Sequence, residues 1–180
     1  SAFVGINTQP VVAFDTIHQR FVVGWISQTG SGSDAYVRSA EVSLGGDVVE
    51  DQVVAEMTVG VVRALDSSFD PNADKLDAWY VWHQPASVLE RNPENYDIQA
   101  AGVRYVAPVP TIRQQTLASS FDTETHPAIA FNEEYDGSLV VWRAFDPANL
   151  SSGRLAIKSI PPFVDLPTRP FVLGEPVSIT

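Results

Sequence analysis

Two acidic loops hold the side chains best suited to bind a metal ion. Their carboxylate and amide oxygens alternate along the chain, as the ligands of calcium loops do. However, Lys75 stands where such a loop has Gly, and Asp77 comes one position early. Polar hairpin turns of this composition also occur without metal, so the loops predict either calcium ligands or plain turns without a cofactor. The candidate ligands are Asp70, Asn72 and Asp74 in one loop and Asn132, Glu134 and Asp136 in the other.

An aromatic cluster lies between these loops and consists of Trp79, Tyr80 and Trp82. Aromatic rings that reach a surface can line a sugar-binding pocket, whereas the same rings inside a sheet are core. We favour core and keep a carbohydrate site as the alternative. The 22 acidic residues could also supply the two carboxylates of a glycoside hydrolase, but the sequence singles out no pair.

Other catalytic patterns do not stand out. The three histidines, His18, His83 and His126, belong to different repeat units and lack metal-ligand spacing. No G-x-S-x-G nucleophile motif occurs, and the glycine-rich stretch at 30–34 lacks the Lys-Ser/Thr of a phosphate-binding loop. We therefore expect a protein that is not an enzyme.

Charge and composition narrow the classes of partner. The chain of 180 residues carries a formal charge of −11, which repels nucleic acid and anionic membrane surfaces. It has no run of about 18 apolar residues, so no membrane span is expected. It also has no cysteine, which fits an exported bacterial or archaeal protein stabilised by packing alone and is equally allowed in a cytosolic one.

Three segments repeat the same order of parts. In each, an apolar run leads through a polar stretch into a second run that ends in tryptophan. Trp25, Trp82 and Trp142 align, 57 and 60 residues apart, and Asp15, Asp66 and Asn132 fall at matching ends of the first runs. The repeat predicts units of about 1–57, 58–122 and 123–160, followed by a proline-rich extended arm at 161–180.

The runs have the composition of β-strands, since they are short, rich in Val, Ile, Phe, Tyr and Trp, and separated by Gly, Asp, Asn, Ser and Pro. Runs such as 21–25 and 139–142 are apolar on both faces. Sheets stacked face to face in series bury both faces of a strand, whereas a two-sheet sandwich leaves one face in water. The sequence therefore predicts an all-β, propeller-like array of about three four-stranded antiparallel blades, with a β-sandwich as the alternative.

The first unit resembles a repeat of large bacterial surface and adhesin-like proteins. The resemblance rests on Asn7-Thr-Gln-Pro10, Val12-Ala-Phe-Asp15, Phe21-Val-Val-Gly-Trp25 and the strand that starts at Asp34. The match is good in the first unit, fair in the third and weak in the middle one. It implies a β-propeller and an extracellular or cell-surface location, and its motifs imply no activity.

Three blades cannot close a propeller, because known rings need about four to eight. We therefore expect a second copy that completes a ring near six blades, an open filament formed through free blade edges, or a fourth irregular blade. The arm at 161–180 supplies a missing strand, in its own chain or a neighbour's, or lies along the surface.

Taken together, these features predict a non-catalytic exported module for assembly or adhesion, whose loops meet a protein or glycan partner. The alternatives are a lectin-like carbohydrate-binding propeller and a hydrolase with carboxylates in a central channel.

Overall fold

The computed structural model describes residues 5–16, 18–29, 34–57, 63–69, 76–86, 95–105, 111–120, 122–132, 134, 137–146, 148, 153–160 and 177–179. All twelve elements in these ranges are β-strands. The same ranges contain no helix long and apolar enough to cross a bilayer. The strands are β1 Gly5–Asp15, β2 Arg20–Thr29, β3 Ala35–Ser43, β4 Val48–Met57, β5 Arg63–Phe69, β6 Leu76–Pro85, β7 Tyr96–Tyr105, β8 Thr111–Ala118, β9 Thr123–Asn132, β10 Gly137–Phe145, β11 Arg154–Ile160 and β12 Val177–Ile179.

The twelve strands form three antiparallel sheets of four strands each. The first sheet has the order β1-β2-β3-β4, the middle sheet β5-β6-β7-β8 and the third sheet β9-β10-β11-β12. Every strand pairs with its neighbour in the sequence, so each sheet is a simple meander. The predicted all-β class is confirmed.

The end of the C-terminal tail belongs to the third sheet. Its strand β12 pairs antiparallel with β11, with Val177 opposite Ile157 and Ile179 opposite Leu155. The structure therefore agrees with the alternative in which the tail supplies a strand to its own chain.

The three sheets pack face to face in series around two separate cores. Side chains of the first and middle sheets form the first core, and side chains of the middle and third sheets form the second. Strand β6 serves both cores by alternation, because successive side chains of a strand point to opposite faces. Tyr80 and Trp82 enter the first core, and Trp79 and Val81 enter the second. This double burial explains why the middle strands are apolar on both faces.

A close contact ties the first sheet to the middle sheet. A Cβ atom on Gly24 would lie 2.8 Å from Cδ1 of Tyr80, so only glycine leaves room for this ring. The Tyr80 hydroxyl then shares a hydrogen bond of 2.5 Å with Ser39 Oγ, which also contacts the hydroxyl of Tyr105. Burial raises the pKa of Tyr80 well above its usual value, so the hydroxyl stays neutral.

Each sheet carries a β-bulge at the same place in its first strand. Two residues of that strand stand opposite a single tryptophan of the second strand. The bulges are Gln9-Pro10 opposite Trp25, Ala64-Leu65 opposite Trp82 and His126-Pro127 opposite Trp142. The predicted alignment of the three tryptophans is therefore confirmed.

One part of the predicted repeat is wrong. Asp15 and Asn132 do end their strands, and each accepts a hydrogen bond from a turn backbone N–H, that of His18 at 3.0 Å and that of Glu134 at 2.9 Å. Asp66 instead lies inside β5, opposite Val81, and only two residues after its bulge residue Ala64. The sequence alignment missed this because a match on apolar runs contains no information on the bulge that fixes the strand register.

Candidate functional site

The first strands of the three sheets lie side by side, with β5 in contact with both β1 and β9. A pocket of about 340 Å³ opens where they meet. We call it the inner-strand pocket. Its walls come from all three sheets and consist of Gln9, Ala64, His83, Tyr96, Thr125 and His126.

The three bulges build this pocket. Gln9, Ala64 and His126 are the first residues of their bulges, and each has left-handed backbone, with φ of 51°, 52° and 52°. Such φ values strain any residue with a side chain. All three line the inner-strand pocket. The repeated strain is thus concentrated at the one place where the three sheets converge.

Side chains of one sheet satisfy the edge of the next at this junction. The Leu65 backbone N–H donates to Oε1 of Gln9 at 3.0 Å, and the His126 backbone N–H donates to Nδ1 of His83 at 3.1 Å. The Ile129 backbone N–H likewise donates to Oδ2 of Asp66 at 2.9 Å. Because β5 and β9 are edge strands, these bonds occupy donors that would otherwise invite another strand.

The bond to His83 fixes the state of its ring. An Nδ1 atom that accepts a hydrogen bond carries no proton, so His83 is the neutral tautomer protonated at Nε2. Edges of the rings of Tyr96 and His126 pack against it, at centroid distances of 5.1 and 5.7 Å. A histidine that ligates a metal through Nε2 needs the opposite arrangement, with a proton on Nδ1. Three aromatic rings, those of His83, Tyr96 and His126, therefore form part of the pocket wall.

The sequence candidates for a ligand site lie elsewhere. Trp79, Tyr80 and Trp82 are buried in the two cores and present no ring to the surface. Asp70, Asn72, Asp74 and Asp136 lie outside the described residues. Asn132 and Glu134 are exposed and form the turn described above. Within the described part of the chain, no three metal-ligating side chains come together.

A buried carboxyl group lies in β9, next in sequence to the pocket residue Thr125. Glu124 is only 4% exposed and accepts a hydrogen bond of 2.8 Å from Ser120 Oγ. Burial raises its pKa to about 7, and the nearby carboxylates of Asp97 and Asp122 add to the rise. The Ser120 bond and Arg154 act in the opposite direction. In the native state, Glu124 therefore changes between its protonated and ionised forms near neutral pH.

The sequence analysis missed the inner-strand pocket. Proline is confined to strand edges and bulges within sheets, because it cannot donate to the ladder. Pro10 and Pro127 each follow the strained residue of a bulge, and so they were the available signal. The middle bulge, Ala64-Leu65, has no proline, and nothing in its residue types indicates it.

The outward face of the first sheet, which we call the leading face, is apolar. Val22 and Ile26 point into the first core, so the alternate residues of β2 point away from it. These are Phe21, Val23 and Trp25, and their cross-strand neighbours continue the face. Val12 and Val48 are both 63% exposed. The leading face consists of Val12, Phe14, Phe21, Val23, Trp25, Val48 and Val53.

Part of the leading face has a polar cover. The guanidinium of Arg38 lies 5.9 Å from the ring centroid of Trp25 and pairs with both carboxylate oxygens of Asp51 at 2.8 Å. The Phe14 and Phe21 rings meet beside it at 4.9 Å. The cover extends over the tryptophan only, and Val12 and Val48 remain open.

The outward face of the third sheet, which we call the trailing face, is also apolar. Val140 and Trp142 point into the second core, so the alternate residues of β10 point outward. Leu139 is 45% exposed and Leu155 is 52% exposed. The trailing face consists of Ala128, Ala130, Leu139, Val141, Leu155 and Ile157, with Arg143 among them.

Comparison of the sequence with protein-family models and with curated proteins gives no match.

Proposed function

We propose that the chain is a non-catalytic, propeller-type module of an exported assembly or adhesion protein, which docks further sheets on its two outward faces. The observation that carries this proposal is the direction of the three aligned tryptophans. Trp82 points at the first sheet and Trp142 at the middle sheet, so each faces the unit before it. Trp25 points the same way, onto the leading face.

Exposure of apolar side chains supports the same function. Among the described residues, all the exposed large hydrophobic side chains belong to the two terminal sheets or their turns. Terminal repeats that cap an array carry polar outer faces, because an apolar one would aggregate. A cap is therefore the wrong description of the first and third sheets, and a docking role fits them.

Paired lysine substitutions test this function. Val12→Lys with Val48→Lys alters the leading face, and Leu139→Lys with Leu155→Lys alters the trailing face. We expect both double variants to lose most binding of an apolar fluorescent dye and any self-association, with unchanged far-ultraviolet circular dichroism. The matched control is Thr111→Lys with Ser119→Lys, at exposed positions in and after β8. The proposal fails if the wild-type chain neither binds dye nor associates.

The inner-strand pocket favours a carbohydrate-binding role as a second candidate. The aromatic rings and polar side chains in its wall suit a sugar, and its volume holds a ligand of monosaccharide size. A glycan array with the wild-type protein and the Tyr96→Ala variant tests this carbohydrate-binding role. Strong hits that Tyr96→Ala abolishes would support a lectin and contradict a purely structural role, whereas hits that survive the substitution would contradict this pocket as the site.

A further inference from the structure

From the two internal interfaces we infer a third of the same kind, formed between the leading face of one copy of this chain and the trailing face of a second copy. Two such contacts close a ring of six sheets from two chains. This inference rests on the proposed function and deepens it by naming the partner.

The internal interfaces supply the template. Counting from the aligned tryptophans, the residue before Trp25 is Gly24, and the residue two before Trp82 is Tyr80. These two are in close contact across the first interface. The equivalent pair at the second interface is Val81 and Val140, and both are fully buried in the second core. The Gly24–Tyr80 contact and the burial of Val81 and Val140 in one core suggest a common rule. The residue before the tryptophan of one unit lies at the interface with the residue two before the tryptophan of the next unit.

The same rule names the residues of the third interface. The residue before Trp142 is Val141, on the trailing face, and the residue two before Trp25 is Val23, on the leading face. Both are half-buried. A Val–Val contact also matches the Val81–Val140 pair of the second interface in size. We therefore expect Val23 of one copy to pack against Val141 of the other.

The two faces are unlike each other, so the contact is heterologous. Such contacts either close into a ring or continue as a filament. The geometry favours closure. Strands β1, β5 and β9 all lie at one pocket, so the first strands of the three sheets are close together. Sheets whose first strands surround a common axis are arranged radially, as in a closed ring. Six sheets fall within the range of about four to eight in which propellers close.

The available area suits a stable dimer. Four strands spaced about 4.8 Å apart, with nine residues at about 3.3 Å each, give a face of roughly 600 Å². Two contacts between such faces bury roughly 2,400 Å² in total, which exceeds the range of about 1,200–2,000 Å² found in standard stable interfaces.

The absence of cysteine from the chain allows a clean cross-linking test. Val23→Cys and Val141→Cys are made separately, mixed and oxidised mildly. We expect a disulfide-linked dimer in the mixture and little in either variant alone. Val23→Cys mixed with Ser119→Cys is the matched control, since Ser119 lies off both faces. Efficient cross-linking of Val23→Cys to itself would show that two leading faces meet, and would overturn the inference.

The double variant tests closure. A chain carrying both Val23→Cys and Val141→Cys should give a covalent dimer and nothing larger, with a sedimentation mass twice the 19.6 kDa of one chain. A ladder of trimers and higher species would overturn the ring. In the cysteine-free background, Val23→Asp should weaken association at least about tenfold, as loss of a central apolar contact does.

The failure of this inference differs from the failure of the proposed function. A wild-type chain that stays monomeric at all concentrations, together with no cross-link in the mixture of Val23→Cys and Val141→Cys, overturns the second copy as the occupant. Dye binding that the paired lysine substitutions remove would still support docking of other sheets on the same faces.

Discussion

Gly24 in β2 has no side chain at the point where the Tyr80 ring of the middle sheet reaches it. We predict that Gly24→Val destabilises the fold by about 1–3 kcal/mol, because the added methyl groups must displace a buried ring. Urea unfolding measures the change. Gly45→Ala is the control, since a Cβ there meets its nearest neighbour at an ordinary 3.6 Å. Equal losses in the two variants would contradict a specific Gly24–Tyr80 contact.

Glu124 makes stability depend on pH in a direction unusual for a carboxyl group. Its pKa of about 7 in the folded chain lies above the ordinary 4.5, so the native state holds the proton more tightly than the unfolded state does. The stabilisation is fully present below about pH 4.5 and is lost as the pH rises through about 7.

We predict that Glu124→Gln removes this loss. The variant should gain stability over the wild type as the pH rises from 4.5 to 8, because its amide cannot ionise in the buried site. Thermal unfolding of both proteins across this range measures the gain. Glu134→Gln, at an exposed turn position, should follow the wild-type curve. A constant difference between Glu124→Gln and wild type would refute the role of Glu124.

The bulges are the elements that position the inner-strand pocket, and Ala64 is the simplest place to examine one. Left-handed backbone costs a residue with a Cβ roughly 1–2 kcal/mol, whereas glycine adopts it freely. We predict that Ala64→Gly stabilises the fold by up to about 1 kcal/mol, after the entropy cost of glycine in the unfolded chain is subtracted. Chemical unfolding measures this change in the free energy of unfolding.

Ala130→Gly is the matched control for this change. Ala130 is exposed in β9 and is absent from the residues with positive φ. At this position no backbone strain is relieved to offset the entropy cost of glycine, so the free energy of unfolding should fall by about 0.5–1 kcal/mol. If both substitutions destabilise alike, the bulge at Ala64 stores no strain.

The strands were predictable because composition reflects burial. The predicted runs 21–25 and 139–142 lie within strands β2 and β10. Tryptophan positions fixed the relation between units, since each tryptophan faces a bulge in the same way. The register around Asp66 and the inner-strand pocket were not predictable. Both depend on the bulge of β5, where Ala64 and Leu65 are residue types that any strand can contain.

At the scale of the molecule, the same tryptophan has a different environment in each unit. Trp82 and Trp142 are buried between sheets, whereas Trp25 is only half-buried. We predict that Trp82→Ala and Trp142→Ala each cost about 3–5 kcal/mol, as expected for large aromatic residues in a core. Trp25→Ala should cost less at protein concentrations too low for association.

Concentration provides the second readout for the Trp25→Ala variant. If a second copy covers Trp25, the unfolding midpoint of the wild type rises with protein concentration, by mass action. The midpoint of Trp25→Ala should then be nearly constant. Calorimetry over a hundredfold range of concentration measures both. An unfolding midpoint of the wild type that does not change with protein concentration would argue against assembly through this face.

The meander order of the strands determines how the chain can fold as it is synthesised. Within each of the first two sheets, every strand after the first pairs with the strand just before it, so those sheets form from local contacts, which is the fast route for β-proteins. The third sheet differs, because residues 161–176 separate β11 from β12. Until residues 177–179 have emerged, one edge of β11 stays unpaired. Completion of the third sheet therefore has to wait for β12, and a chain stalled before it would expose a free strand edge to its neighbours.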